Sequence, residues 1–256
     1  MKQPVMVSSF LESFKEYWGS KFDSEEFQIH GLIPIKIGDT TVWITDSHVC
    51  ILIVMLVMII FAFVANRKLK KAKEIPDGFQ NVIELVVEKL DGMVEGTMGK
   101  WAPRFVNYIS TIFIFILMSN ISGIFGLRPP TADYGTTLGL ALVTFTMIHF
   151  NKIRHQKPKT LWKDLCSPLP PWLPIWLPIN LISELAVPIS LSLRLFANVL
   201  SGTIMMSLVY GLLKVVALFW PAALHLYFDL FSGAIQTYVF CMLTMTYITQ
   251  ACDTEE

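Results

Sequence analysis

One residue sets the chemical question. Arg194 stands between Leu193 and Leu195 in an apolar stretch, with no acidic residue within four positions on either side. An arginine at the centre of a membrane helix costs about 2.5–3.5 kcal/mol on insertion scales. Its guanidinium does not deprotonate at any useful pH, so the charge is permanent. A bland alternative is an arginine that snorkels to an interface. Lys214 and the nearest basic loop lie far along the chain, which disfavours it. Two functional readings remain: a fixed cation on an ion path, or a counter-charge for a carboxylate on a partner. Asn198, four residues on, shares the helical face of Arg194. Its amide can orient the guanidinium, hold water, or simply bond a neighbouring helix.

A second constellation follows. His225, Asp229, Ser232 and Gln236 recur at spacings of four, three and four. On an α-helix they form one polar stripe. One buried polar residue can be a packing device. Four in a row, two of them able to exchange protons, suit the lining of a wet passage, because charged forms facing lipid are costly. Glu184, ten residues before Arg194, is either an ionisable group on the path or a surface acid at the membrane edge. Asn120 and Asp133 are weaker candidates, and Asp133 can serve as a helix N-cap. Lys214 and His149 read as anchors at span ends. The sequence carries no glycine-rich phosphate loop, no His/Cys metal spacing and no Ser/His/Asp arrangement. Enzymatic hydrolysis by this chain therefore has no visible machinery.

These residues need elements to hold them. The chain has 256 residues, of which 54% are hydrophobic and 16% charged, against about 25% charged in a typical soluble domain. Mean hydropathy is +0.55. Val49–Ala65, Phe105–Leu127, Leu195–Leu213 and Leu230–Cys252 carry no charge. Crossing a bilayer takes about 17–25 residues, so the repetition of such runs predicts an all-α membrane protein. Five transmembrane helices are expected, over about residues 47–66, 105–127, 133–150, 175–213 and 216–250. The last two exceed one upright crossing and should be tilted, with a kink at Pro188. A sixth, amphipathic helix over 79–100 has Phe79, Ile83, Val86, Leu90, Val94 and Met98 on one face and Glu84, Glu88, Asp91 and Glu95 on another. It is expected to lie at the membrane, packed on the spans, or to dock another subunit. Gly92, Gly96 and Gly99 would allow close backbone approach. The segment Cys166–Pro178, with five prolines and two tryptophans, should be extended and interfacial.

Orientation follows from charge. Arg67, Lys68, Lys70, Lys71 and Lys73 follow the first span, and Lys152, Arg154, Lys157, Lys159 and Lys163 follow the third. The positive-inside rule places both groups in the cytoplasm. Residues 1–46 then form an extracytoplasmic segment, 47–256 a single membrane domain, and the C-terminus is cytoplasmic. The N-terminus lacks the pattern of a cleavable signal. A zero net charge offers no case for nucleic acid. Cys50, Cys166, Cys241 and Cys252 have no metal-type spacing and read as free thiols.

Several motifs resemble one family. Pro188-Ile-Ser-Leu-Ser-Leu-Arg-Leu-Phe-Ala-Asn198 closely resembles the signature of subunit a of the F-type ATP synthase, with Ala197 in place of the usual glycine. Phe115–Gly123, Pro130–Leu138 and Gln236–Phe240 resemble its second-span, PTAD and last-helix motifs, in the same order. The resemblance implies a non-catalytic stator subunit beside a ring of c subunits, with b subunits of the peripheral stalk as further partners. Two half-channels would carry H⁺ or Na⁺ to and from the ring carboxylates. Arg194 matches the essential arginine between them, Gln236 the last-helix glutamine, and Asp229 a position where relatives often carry His or Glu. Glu184 matches an acid near the inner half-channel. Thr203 occupies a position often polar or acidic in the family, which shifts outer-channel duties toward Asp229 and His225. No cofactor or metal is implied, and the bacterial plasma membrane is the expected location. The rivals are a stand-alone secondary transporter, which usually shows internal repeats, and a structural scaffold. No repeat is visible, and a scaffold does not account for a mid-span cation.

Overall fold

The computed structural model describes residues 31–37, 40–70, 78–125, 127–155, 176–212 and 220–253. The chain divides into two compact units, Met1–Asp46 and Ser47–Glu256. In the first, β1 (Gly31–Ile37) and β2 (Thr40–Thr45) pair antiparallel, with Ile33 opposite Ile44 and Ile35 opposite Val42. Isoleucine, valine and threonine dominate both strands, the residues that a pleated backbone accommodates best. This hairpin departs from the all-α expectation.

The regular structure among the described residues of the second unit is all helical. Its helices are α1 (Asp46–Leu69), α2 (Phe79–Met98), α3 (Ala102–Ile121), α4 (Tyr134–His155), α5 (Trp176–Leu212), α6 (Trp220–His225) and α7 (Gly233–Cys252). A π-helical segment, Leu226–Ser232, joins α6 to α7 without a break. Four stretches are long and apolar enough to cross a membrane: Ser47–Leu69, Phe79–Phe125, Pro178–Val209 and Ala223–Cys252. That is one fewer than the sequence suggested. The difference lies in α4, which has the length but carries His149, Asn151, Lys152 and Arg154 in its last two turns. The segment expected to form a sixth helix over 79–100 is helical as α2, Phe79–Met98. It runs into α3 through one 3-10 turn, Gly99–Trp101, so the two form one long apolar stretch.

Local rules account for the boundaries. Asp133 precedes α4 in an extended conformation, and its Oδ1 accepts the Gly135 N–H at 3.0 Å. This is the N-cap geometry expected for Asp133. Pro103 sits in the first turn of α3, where its missing N–H costs nothing. Gly78 and Gly99 flank α2 with φ of +48° and +50°, a region where only glycine rests without strain. The close-approach role expected for Gly92, Gly96 and Gly99 is not seen. A Cβ at any of them would meet no described atom within 4 Å. Helix α5 continues through the buried Pro188. At about 1.5 Å per residue, its 37 residues extend well beyond a hydrocarbon core of about 30 Å. Lys214, Cys166, the proline-rich 166–175 stretch and most of the second basic loop lie outside the described residues.

The core joins α2, α3, α4, α5 and α7. Val94, Phe105, Ile109, Ile116, Ala141, Leu195, Phe240, Met245 and Ile248 are buried within it. On α2 the apolar face is buried at Leu90, Val94 and Met98, while Phe79 and Val86 are exposed. The packing of α2 against its neighbours thus covers the C-terminal half of that face. Outward-facing residues of α1, among them Leu52, Leu56, Ile59 and Phe63, are apolar and exposed, as a lipid-facing helix requires. Cys50, Cys241 and Cys252 are free and buried.

The end of α7 is tied to the corner between α2 and α3. Trp101 Nε1 donates to Asp253 Oδ1 at 3.0 Å, and Lys100 Nζ lies 3.1 Å from the same oxygen. The indole hydrogen bond first, then the lysine, hold the Asp253 carboxyl below its ordinary value of 3.8. A depressed carboxylate pKa contributes stability above the unfolded value and loses it as pH falls through the folded one. Asp253→Asn should therefore lower the thermal stability of the detergent-solubilised protein slightly at neutral pH. The difference from wild type should vanish in acid below about pH 4. A deficit that persisted unchanged in acid would assign it to packing instead.

Candidate functional site

The polar residues of the membrane unit gather at three levels along α5. Counting about 1.5 Å per residue, Glu184 lies about 15 Å below Arg194, and Asn198 about 6 Å above it.

Arg194 occupies the middle level. Its side chain is exposed, and it makes no hydrogen bond or ion pair with any described residue. Leu195, its neighbour, is fully buried against the core, so α5 turns the arginine away from its own helix bundle. Ser183, Ala186, Ser190, Ala197 and Ser201 are also exposed. At spacings of three and four they border Arg194 with small side chains on the same outer face.

The Asp229 level is built from α3, α5 and the π-helical segment. Asp229 Oδ2 lies 2.9 Å from His225 Nδ1. Ser232 Oγ donates to Asn198 Oδ1 at 2.9 Å, tying the segment to α5. Asn120 is buried at 4% exposure and fully engaged. Its Nδ2 donates to Gly233 O at 3.1 Å and Thr237 Oγ1 at 3.3 Å, and its Oδ1 accepts from Thr131 Oγ1 at 2.8 Å. A Cβ added at Gly123 would come within 3.3 Å of both the Asp229 carboxyl carbon and Pro129 Cγ. A void of about 10 Å³ lies among Asn120, Asn198, Asp229 and Gly233, near the lower limit for one water.

The π winding changes the predicted stripe. A wider turn keeps residues four apart on one face but swings those three apart away from each other. His225 and Asp229 stay paired. Ser232 instead meets Asn198 on α5, and Asn120 reaches the next residue, Gly233. Gln236 is half-buried, and its Nε2 has no hydrogen-bond partner among the described residues. Neither Asn198 nor Gln236 bonds to Arg194 among the described residues; Asn198 Oδ1 instead accepts the Ser232 hydroxyl. Thr203 is exposed and bonds back to Val199 O of its own helix.

The third level joins α4, α5 and α7. Lys152 Nζ meets Glu184 Oε1 at 2.6 Å, and His149 Nε2 lies 3.5 Å from Glu184 Oε2. Together with Val187, Tyr247 and Gln250 they line a cavity of about 300 Å³. Glu184 is thus a paired group inside a cavity rather than a loose surface acid. Sequence reasoning missed Lys152 and His149 as members of a site, taking one as loop charge and the other as an anchor. Their i, i+3 spacing on α4 was the available signal. Thr131 and Thr237 were also missed, although a buried Asn120 demands partners.

Helices that bury one face, expose apolar side chains on the other and hold ionisable groups at separate depths define a multi-pass membrane protein built to handle charge. Comparison with known proteins gives the family. Residues 48–249 match the model described as ATP synthase A chain. "ATP synthase subunit a, sodium ion specific" from Propionigenium modestum is 35% identical over 208 residues, covering 75% of this chain and 70% of the relative. The ATP synthase subunit a of Moorella thermoacetica is 33% identical, covering 86% and 94%, and that of Mycobacterium ulcerans is 33% identical, covering 87% and 95%. The chain belongs to the ATP synthase A chain family, the ion-translocating membrane subunit of the synthase.

Proposed function

We propose that this chain is the stator of a rotary ATP synthase, with Arg194 facing the mid-membrane carboxylates of a c-ring. The observation that carries this reading is the exposed guanidinium, unpaired among the described residues, on an outward face bordered by small side chains. Such a face lets another helix approach closely. A permanent cation there attracts an ionised carboxylate and repels a cation moving directly across, so ions must travel on the ring.

The two other levels then serve as half-channels. With both basic loops in the cytoplasm, α4 crosses as the fifth span. The His149–Glu184–Lys152 cavity opens toward the inner side. Asp229 and His225, with Ser232 and Asn198, belong to the outer path. Asn120 and Asp133 support that path by fixing the turn beside it, and Thr203 borders it on α5. Gln236, whose Nε2 has no hydrogen-bond partner among the described residues, would offer an amide donor to a carboxylate arriving beside Arg194. The chain is non-catalytic alone: ion flow turns the ring, and ATP forms on a distant head bound through the peripheral-stalk b subunits. One charge moved through 100 mV gains about 2.3 kcal/mol, so several steps must be summed mechanically.

The transported ion is H⁺ or Na⁺. H⁺ is the default, while the sodium-specific relative favours asking the question directly through the Na⁺ dependence of ATP hydrolysis in membranes. The reading as a whole is tested by gentle purification from membranes. It predicts co-isolation with a ring of small two-helix subunits. A monomer that transports a solute when reconstituted alone would replace it with the transporter reading.

A further inference from the structure

The inner cavity contains more chemistry than a paired acid. Its charged or titratable lining groups are His149 and Lys152 on α4, Glu184 on α5 and Tyr247 on α7. Each Glu184 oxygen has its own neighbour: Lys152 Nζ on Oε1 at 2.6 Å, and His149 Nε2 beside Oε2 at 3.5 Å. The 2.6 Å contact makes Glu184 and Lys152 an ion pair whose charges offset each other, and Tyr247 is a phenol on the cavity wall.

His149 differs from all three. Its Nδ1 lies 3.1 Å from Phe145 O, one turn back on α4. A carbonyl oxygen only accepts, so Nδ1 must carry a hydrogen. In the neutral ring Nε2 is then a bare acceptor facing the Oε2 anion, and no hydrogen bond joins them. A proton taken up on Nε2 converts that contact into a charge-assisted bond. The backbone thus directs the exchangeable proton to the nitrogen that faces the cavity.

We propose that His149 is the proton-exchange group of the inner cavity, taking its proton on Nε2 against the ion-paired Glu184, and so setting the charge that a passing cation meets there. The proposal rests on the stator reading with two half-channels. For H⁺, Nε2 holds the ion between the cavity and the cytoplasm. For Na⁺, protonation adds one positive charge and opposes entry. In either case the transport rate depends on inner pH through the proton on His149 Nε2.

The test uses the complete synthase, purified and reconstituted in liposomes under a fixed imposed driving force. ATP synthesis is followed while pH on the ATP-forming side is varied from about 5 to about 8. Dividing the rate of His149→Gln by that of wild type removes the pH dependence of the catalytic head. The expected ratio changes several-fold across the range, while outer-side pH leaves it unchanged. Lys152→Gln removes the competing cation and strengthens the hold of Glu184 on protonated His149, so its inner-pH midpoint should move upward. A merely structural role would lower the amount of assembled complex without moving that midpoint. A flat ratio for His149→Gln, in complexes that retain the c-ring, overturns the proposal. Because Arg194→Ala tests the stator reading separately, a flat ratio beside a dead Arg194→Ala synthase sinks only the His149 assignment.

Discussion

Membranes carrying Arg194→Ala should make no ATP above background under an imposed ion gradient. The chain offers the guanidinium no anion among its described residues, although an unpaired charge in lipid is costly. On the proposed stator reading, that cost is recovered when a partner carboxylate arrives. Removing one member of a low-dielectric ion pair costs about 3–5 kcal/mol, and about 1.36 kcal/mol corresponds to a factor of ten in rate. The expected loss therefore spans two orders of magnitude or more. Arg194→Lys should not restore the activity, because an ammonium lacks the planar fork and loses its proton more readily when buried. The same substitutions should let ions leak passively, since the fixed barrier between the two half-channels is gone. ATP synthesis at normal rates in Arg194→Ala membranes would defeat the account of this residue.

The second large effect is expected far from the arginine face, at Gly233. A Cβ there would lie 2.9 Å from Asn120 Cβ, closer than side-chain carbons approach. Gly233→Val must push α3 and α7 apart, at about 1–3 kcal/mol for overpacking. It also stretches the Asn120 bonds to Gly233 O and Thr237 Oγ1. A buried polar group left without its partner adds about 1–3 kcal/mol. The π-helical segment that presents Asp229 ends at Gly233, so ion transport should fall along with thermal stability. Gly202→Ala serves as the contrast. Its Cβ would meet Phe228 at 3.5 Å, an ordinary contact, and the variant should keep both stability and activity. If Gly233→Val were as stable and active as Gly202→Ala, the tight α3–α7 crossing would have no functional weight.

Much of this arrangement is legible in the residues themselves. The extent of α5 follows from an apolar pattern whose only charged residues are Glu184 and Arg194. The N-cap at Asp133 follows from its place before a helix-forming run. Both are local rules. What escaped reading depended on tertiary partners. The π-helical winding at Leu226–Ser232 has no periodic signature of its own. It redirects Ser232 and Gly233 toward different helices, which an α-helical wheel places otherwise. Lys152 looked like loop charge because its ion-pair partner is 32 residues away on another helix. Gly92 and Gly96 suggested a close crossing that the packing does not use. The strands before α1 were overlooked because a charged, mixed segment masks their short β-branched runs. The site followed the same division. Arg194 announces itself through the cost of its surroundings, whereas Asn120 and His149 acquire meaning only from the atoms brought to them.

The central claim is that the outer face of α5 around Arg194 meets ring carboxylates. Disulfide cross-linking in native membranes addresses it most directly. Single cysteines at Ser190 and Ala197, exposed one turn below and above the arginine's face, would be paired with a cysteine beside the mid-membrane carboxylate of the c subunit. The account predicts oxidant-dependent cross-links from both positions, with ATP synthesis stopped until reduction. An assembled, active synthase in which neither position cross-links to the ring would contradict it.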